Sequence, residues 1–218
     1  KWCKGVAVVD INNGGWDDLY ISASLLKDSV QRENILYVNQ GLNKAGKPVF
    51  KNLAKEYGLA DNSHTTQAAF FDYDNDGDLD VYLAVNVFAQ RDNPNYYRQI
   101  FRNGEHPNTD RLYQNQWDSA KGHPVFTNVS REAGILQEGF AHSVTICDLN
   151  MDGWKDVFVA NDYLSENLLW VNNGNGTFTN RSKEYFKHTA FNAMGADVVD
   201  VNNDGWSDVV EVDMNPED

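Results

Sequence analysis

Four short acidic turns set the terms for what this chain can fold into. Each spans nine residues and places oxygen-bearing side chains at alternate positions around a glycine. The fullest copy is Asp72-Tyr73-Asp74-Asn75-Asp76-Gly77-Asp78-Leu79-Asp80. Its carboxylates would repel one another unless a cation sat among them, and hard oxygen donors around a sharp glycine turn suit calcium. The other copies begin at Asp10, Asp148 and Asp200.

Apolar or alternating runs flank each turn. Val6-Ala7-Val8-Val9, Ala68-Ala69-Phe70-Phe71, Val144-Thr145-Ile146-Cys147 and Ala196-Asp197-Val198-Val199 precede them. Leu19-Tyr20-Ile21, Val81-Tyr82-Leu83-Ala84, Val157-Phe158-Val159-Ala160 and Val209-Val210 follow. Such β-branched and aromatic runs read as strands, so each turn joins a hairpin. Two more strands follow each of the first three hairpins. One is Leu-aromatic and ends at Asn39, Asn115 or Asn172; the other carries Phe50, Phe126 or Phe178 and ends at Asn52, Asn128 or Asn180.

Four-stranded units repeating along a chain read as propeller blades. The fold expected is all-β: a β-propeller of four-stranded blades with calcium-binding hairpin loops. Its repeat units run over about 1–61, 62–137, 138–190 and 191–218, within one domain. That is a partial ring of about three and a half blades, with a rearranged four-bladed ring as the alternative. One-turn connectors ending at Gly58 and Gly134 are expected between blades; the extra length of the second unit sits at 86–107, read as an insertion, and at 116–123.

In this pattern positions one, three, five and nine offer side chains and position seven its backbone carbonyl. The expected calcium ligands are Asp72, Asp74, Asp76, Asp78 and Asp80; Asp148, Asn150, Asp152, Trp154 and Asp156; and Asp200, Asn202, Asp204, Trp206 and Asp208. In the first loop Asp10, Asn12, Trp16 and Asp18 remain, but Gly14 replaces the fifth-position carboxylate, so weaker binding or none is expected there. An EF-hand is excluded: it needs a glutamate at position twelve between helices, and here Leu83, Val159 or Glu211 lies within a strand. The expected role of the metal is structural, coupled to folding.

The formal charge of −14 argues against a nucleic-acid partner, since no basic patch offsets it. No apolar segment is long enough for a membrane-spanning helix. The chain lacks a signal peptide and does not begin with Met, so it reads as a mature or excised fragment. Cys3 and Cys147 form no disulfide framework; the two could pair, but nothing in their spacing requires it. His64, His106, His123, His142 and His188 show no ligand spacing. Neither a nucleophile elbow nor a phosphate loop is present, and no catalytic residue is assigned. A weak ligand-binding set is His142, Asn161, Asp162 and Tyr163 near one hairpin, with Tyr96, Tyr97 and Trp117 as loop aromatics.

The loops, the Leu-Tyr/Trp-x-Asn strands and the Phe-x-Asn strands resemble FG-GAP/VCBS repeat proteins, a family that includes the integrin α-chain propeller. Gly139-Phe140-Ala141-His142-Ser143, Val159-Ala160-Asn161-Asp162-Tyr163, Asn173-Gly174-Asn175-Gly176-Thr177-Phe178 and Met194-Gly195-Ala196-Asp197 are similar to ASPIC/UnbV-type relatives of cartilage acidic protein. The resemblance implies a seven-bladed, calcium-stabilised propeller that is exported, either extracellular or associated with the surface or outer membrane. Peripheral or lipoprotein anchoring would lie outside this segment. The leading functional expectation is a protein- or glycan-binding module using its blade-top loops. The alternative is a polysaccharide lyase or glycoside hydrolase on the same scaffold.

Overall fold

The computed structural model describes residues 1–87, 99–162, 165–190 and 192–214. The described residues are all-β apart from a 3-10 turn at Val30–Arg32 and one α-helical turn, α1, at Ser182–Tyr185. Strands β1 (Trp2–Val9), β2 (Asp18–Ser24), β3 (Ile35–Leu42) and β4 (Pro48–Asn52) form the first sheet. The second holds β5 (Thr65–Phe71), β6 (Asp80–Val85), β7 (Arg111–Asp118) and β8 (His123–Asn128). The third holds β9 (Ala141–Cys147), β10 (Asp156–Asn161), β11 (Leu168–Asn172) and β12 (Phe178–Asn180). A two-stranded sheet of β13 (Ala193–Val199) and β14 (Asp208–Asp213) completes the described chain. Each sheet is an antiparallel meander in which neighbours in sequence pair in space.

The sheets stack face to face in chain order. Val81, Leu83, Tyr113 and Phe126 of the second sheet bury against Tyr20, Leu36 and Val38 of the first. The opposite face of the second sheet, with Tyr82, Ala84 and Leu112, meets Val144, Val157, Leu168, Trp170 and Phe178 of the third. Phe158, Leu169 and Val171 then meet Ala196, Val198 and Val209 of the last hairpin. Strand alternation supplies each sheet with two apolar faces. Burying one such large side chain is worth about 1.5–3 kcal/mol, so these inter-sheet layers are the core.

First strands run beside first strands: β1 against β5, β5 against β9, and β9 against β13. Side chains close the gaps between their backbones. The Gln67 amide donates to Val144 O at 3.2 Å and accepts from Val144 N at 3.1 Å, imitating a ladder pair. Thr66 Oγ1 donates to Ala141 O at 2.9 Å, and Thr145 Oγ1 to Ala196 O at 3.1 Å. First strands gathered side by side with sheets stacked behind them make a propeller-like arrangement. The array does not close on itself within the described residues. Val6 and Val8 at one end and Val199, Val210 and Val212 at the other remain exposed.

The connectors behave as joints. After each of the first two sheets the chain makes one tight turn and passes its backbone to the next unit's fourth strand. Phe126 N donates to Tyr57 O, and Phe178 N to Ala133 O, both at 2.8 Å. Gly58 and Gly134 follow at φ +78° and +82°, and a Cβ on Gly58 would lie 2.4 Å from Phe126 O. Glycine is required there by both conformation and space.

Two sequence expectations change. Trp117 lies in strand β7 opposite Pro124, because the hairpin β7–β8 extends past its neighbours to the turn before His123. The described end of the insertion is fastened down: Phe101 N donates to Glu138 Oε1 at 2.7 Å and Gly104 N to Leu136 O at 2.9 Å. Both cysteines are free, Cys3 exposed and Cys147 buried, so no disulfide joins them.

Candidate metal centre

The four hairpin loops share one backbone design. In each, the first-position carboxylate accepts the N–H groups of positions five and six. Asp72 takes Asp76 N at 3.2 Å and Gly77 N at 3.0 Å. Asp148 takes Asp152 N and Gly153 N at 3.1 and 3.0 Å, and Asp200 takes Asp204 N and Gly205 N at 3.1 and 2.8 Å. Asp10 does the same for Gly14 and Gly15, at 2.8 and 2.7 Å. The first loop therefore folds like the others despite its missing carboxylate.

Position six must turn sharply: Gly15, Gly77, Gly153 and Gly205 have φ between +78° and +96°. Position four also enters the left-handed region, at Asn13, Asn75, Met151 and Asn203. Asparagine tolerates that conformation, and Met151 is the departure.

The ninth-position aspartate links the loop to the sheet. Asp80 is 1% exposed; it accepts Tyr73 N at 3.1 Å and Asn115 N, on the third strand, at 2.8 Å. Asp18 does the same with Ile11 N and Asn39 N, and Asp156 with Leu149 N and Asn172 N. Asp208 accepts Val201 N at 3.2 Å. The third-strand asparagines complete the clamp, donating Nδ2 to Asp17 O, Leu79 O and Lys155 O. The sequence displayed these asparagines as a repeated Tyr/Trp-x-Asn ending, but their partner was not evident from spacing.

Loop 72–80 gathers the most negative charge. Ligand oxygens of Asp72, Asp74 and Asp80 all lie within 4.8 Å of one another, the one such acidic group among the described residues. In the third and fourth loops the third position is Asn150 or Asn202, whose amides accept Asp152 N at 3.1 Å and Asp204 N at 2.8 Å. Asp76, Asp152 and Asp204 each accept the N–H of position seven, from Asp78, Trp154 and Trp206.

Two buried oxygens in loop 72–80 lack a hydrogen-bond partner: Asp74 Oδ1 and Asp78 Oδ1. An unpaired buried carboxylate oxygen is costly. Orphaned hard donors beside the triad are what a bound cation would satisfy, so these residues fit one. Asp78 brings a side-chain carboxylate to this loop where Trp16, Trp154 and Trp206 occupy the others. Gln114 Nε2 donates to Asp74 Oδ2 at 2.8 Å and fixes that carboxylate. No spacing signal in the sequence singled out Gln114; Val38 and Val171 hold the matching positions.

The electrostatics agree with crowding. Burial pushes Asp80 up to about 8, with Asp74 and Asp78 adding repulsion against the two lowering backbone hydrogen bonds. Burial, then Asp76, Asp74 and Asp72, lifts Asp78 to about 6. Burial also raises Asp74, Asp18 and Asp156. A cation would reverse the repulsive share of these shifts.

The weak ligand-binding set is divided between two rims. His142 Nε2 lies 3.5 Å from Asp162 Oδ2, at the strand ends opposite the acidic loops. Asn161 there is fully buried, with Nδ2 donating to Glu166 O at 2.9 Å. A Cβ on Gly139 would lie 2.4 Å from its Oδ1. Trp117 is 58% exposed at the other rim, beside loops 10–18 and 72–80. Tyr96, Tyr97 and Tyr163 lie outside the described residues.

Residues 148–211, from the third loop through the last hairpin, match a family model described as an FG-GAP-like repeat. No curated protein matches the chain.

Proposed function

We propose, with an FG-GAP-like repeat at 148–211 as the premise, that this chain is a calcium-stabilised, extracellular or surface-exposed propeller segment that binds a protein or a glycan. The affinity with ASPIC/UnbV-type and integrin-like propellers belongs to the same proposal. The observation that carries it is the convergence of Asp72, Asp74 and Asp80 with the orphaned oxygens of Asp74 and Asp78. Bound calcium would supply charge neutralisation that lets these carboxylates pack. Asp72, Asp74, Asp76, Asp78 and Asp80 would hold it, and the loops at 148–156 and 200–208 would hold further ions with fewer charges. The loop at 10–18 would bind weakest.

In this reading the clustered acids are committed to the scaffold, which leaves rims and flanks for recognition. A glycan array and a pull-down with the chain, each with and without chelator, test it. Capture that disappears on chelation is expected; a blank array and pull-down in calcium would refute it. An enzymatic reading draws on the His142–Asp162 pair. It requires polysaccharide turnover that His142→Ala or Asp162→Asn abolishes while melting is unchanged.

A further inference from the structure

The flank between the second and third sheets carries a surface unlike the acidic loops. A cleft of about 400 Å³ lies there, lined by Arg102, Gln137, Glu166, Asn180, Arg181 and Lys183. Acids outnumber bases 32 to 18 in the whole chain, yet here three cations meet two carboxylates, Glu166 and Glu184. Lys183 Nζ is 3.0 Å from Glu166, and Arg181 Nη1 is 3.3 Å from Glu184. Exposed pairs of this kind are held weakly and can re-partner.

The cleft wall contains an unsatisfied donor. Gln137 is 5% exposed, and its Oε1 accepts from Arg102 Nε at 3.0 Å and Asn180 Nδ2 at 3.3 Å. Its Nε2 is buried without a partner. A buried orphan of this kind calls for a ligand, ion or water to complete it.

We propose that this cleft binds a saccharide unit bearing a carboxylate or sulfate group, which deepens and rests on the glycan-binding reading above. The anionic group pairs with Arg102 and Arg181, assisted by Lys183, as guanidinium geometry favours. Sugar hydroxyls donate to the carboxylates of Glu166 and Glu184, with the Gln137 amide lining the cleft beside them. The two carboxylates argue against a phosphate-rich ligand, which they would repel. The volume lies within the range of small-molecule sites.

Titration calorimetry in calcium with trigalacturonate, a sulfated carrageenan oligosaccharide and neutral maltotriose tests it. At least one acidic probe is expected to bind while maltotriose does not. Arg102→Ala and Arg181→Ala should each weaken that binding roughly ten-fold or more, with melting temperature unchanged. The inference is overturned if neither acidic probe binds, if maltotriose binds equally, or if both variants bind within about two-fold of the parent, a change too small for a lost charged hydrogen bond. In any of these cases, array or pull-down capture that survives in Arg102→Ala would leave the wider binding reading standing.

Discussion

The carboxylate of Asp80 accepts the backbone N–H of Asn115 at 2.8 Å. Its second oxygen takes Tyr73 N at 3.1 Å. One buried side chain thus secures the loop's entry and the third strand together. Asp80→Ala leaves two buried N–H groups without acceptors, each worth about 1–3 kcal/mol. Asp80→Asn keeps one acceptor and should cost roughly half as much. Urea unfolding in chelator, where metal contributes nothing, checks the order.

Acidity should act in opposite directions with and without calcium. Asp80 titrates at about 8 and Asp78 at about 6 in the folded loop, both above the usual carboxylate range. The folded metal-free chain therefore binds more protons than the unfolded one, and loses stability as pH rises from about 4 through about 8. With saturating calcium the carboxylates must be ionised to coordinate, so calcium's added stability should grow over the same range. Melting curves at pH 5, 6, 7 and 8, in chelator and in calcium, should diverge upward with pH.

Asp110 gives a second, metal-independent slope. It is buried, accepting Tyr82 OH and Val85 N at 2.7 Å each, and desolvation pushes it up to about 7 despite those bonds. Its ionisation opposes folding as pH rises from about 4 to 7. Asp110→Asn should flatten stability across that window and cost less at pH 8 than at pH 5. Chemical denaturation of parent and variant at the two pH values reads this directly.

Glycines at joints and at loops should differ in cost. Gly77 has φ +96° but nothing within 4 Å of an added Cβ, so Gly77→Ala pays conformational strain alone, about 1 kcal/mol. Gly58→Ala adds a clash with the Phe126 carbonyl and should cost about 3 kcal/mol. Equal costs would remove the inter-sheet joint from the account.

Much of the strand plan was readable because each loop punctuates the chain with Asp, Asn and Gly between β-branched runs. The pairings β1 with β2, β5 with β6, β9 with β10 and β13 with β14 follow from it. Long-range partners were not readable. Gln67 bridges to Val144, and Ser130 Oγ accepts Leu112 N at 2.9 Å, as Ser182 Oγ accepts Leu169 N at 2.7 Å. Those serines end an Asn-x-Ser stretch whose asparagine caps the serine itself, at Asn128 and Asn180. Read locally, such stretches suggest glycosylation acceptors; read in the fold, their side chains are occupied. The separation of Trp117 from His142 likewise depends on which strand end each occupies, which follows from the pairing of whole strands rather than from local spacing.

In the proposed function, loop 72–80 is a cation cage built into the fold. Calorimetric calcium titration of the parent chain beside Asp74→Asn tests it most directly. The account predicts saturable calcium binding that stabilises the parent, with the tightest event weakened roughly ten-fold or more in Asp74→Asn, whose amide keeps an oxygen at position three but loses its charge. No heat of binding and no calcium-dependent rise in melting temperature for the parent would contradict it.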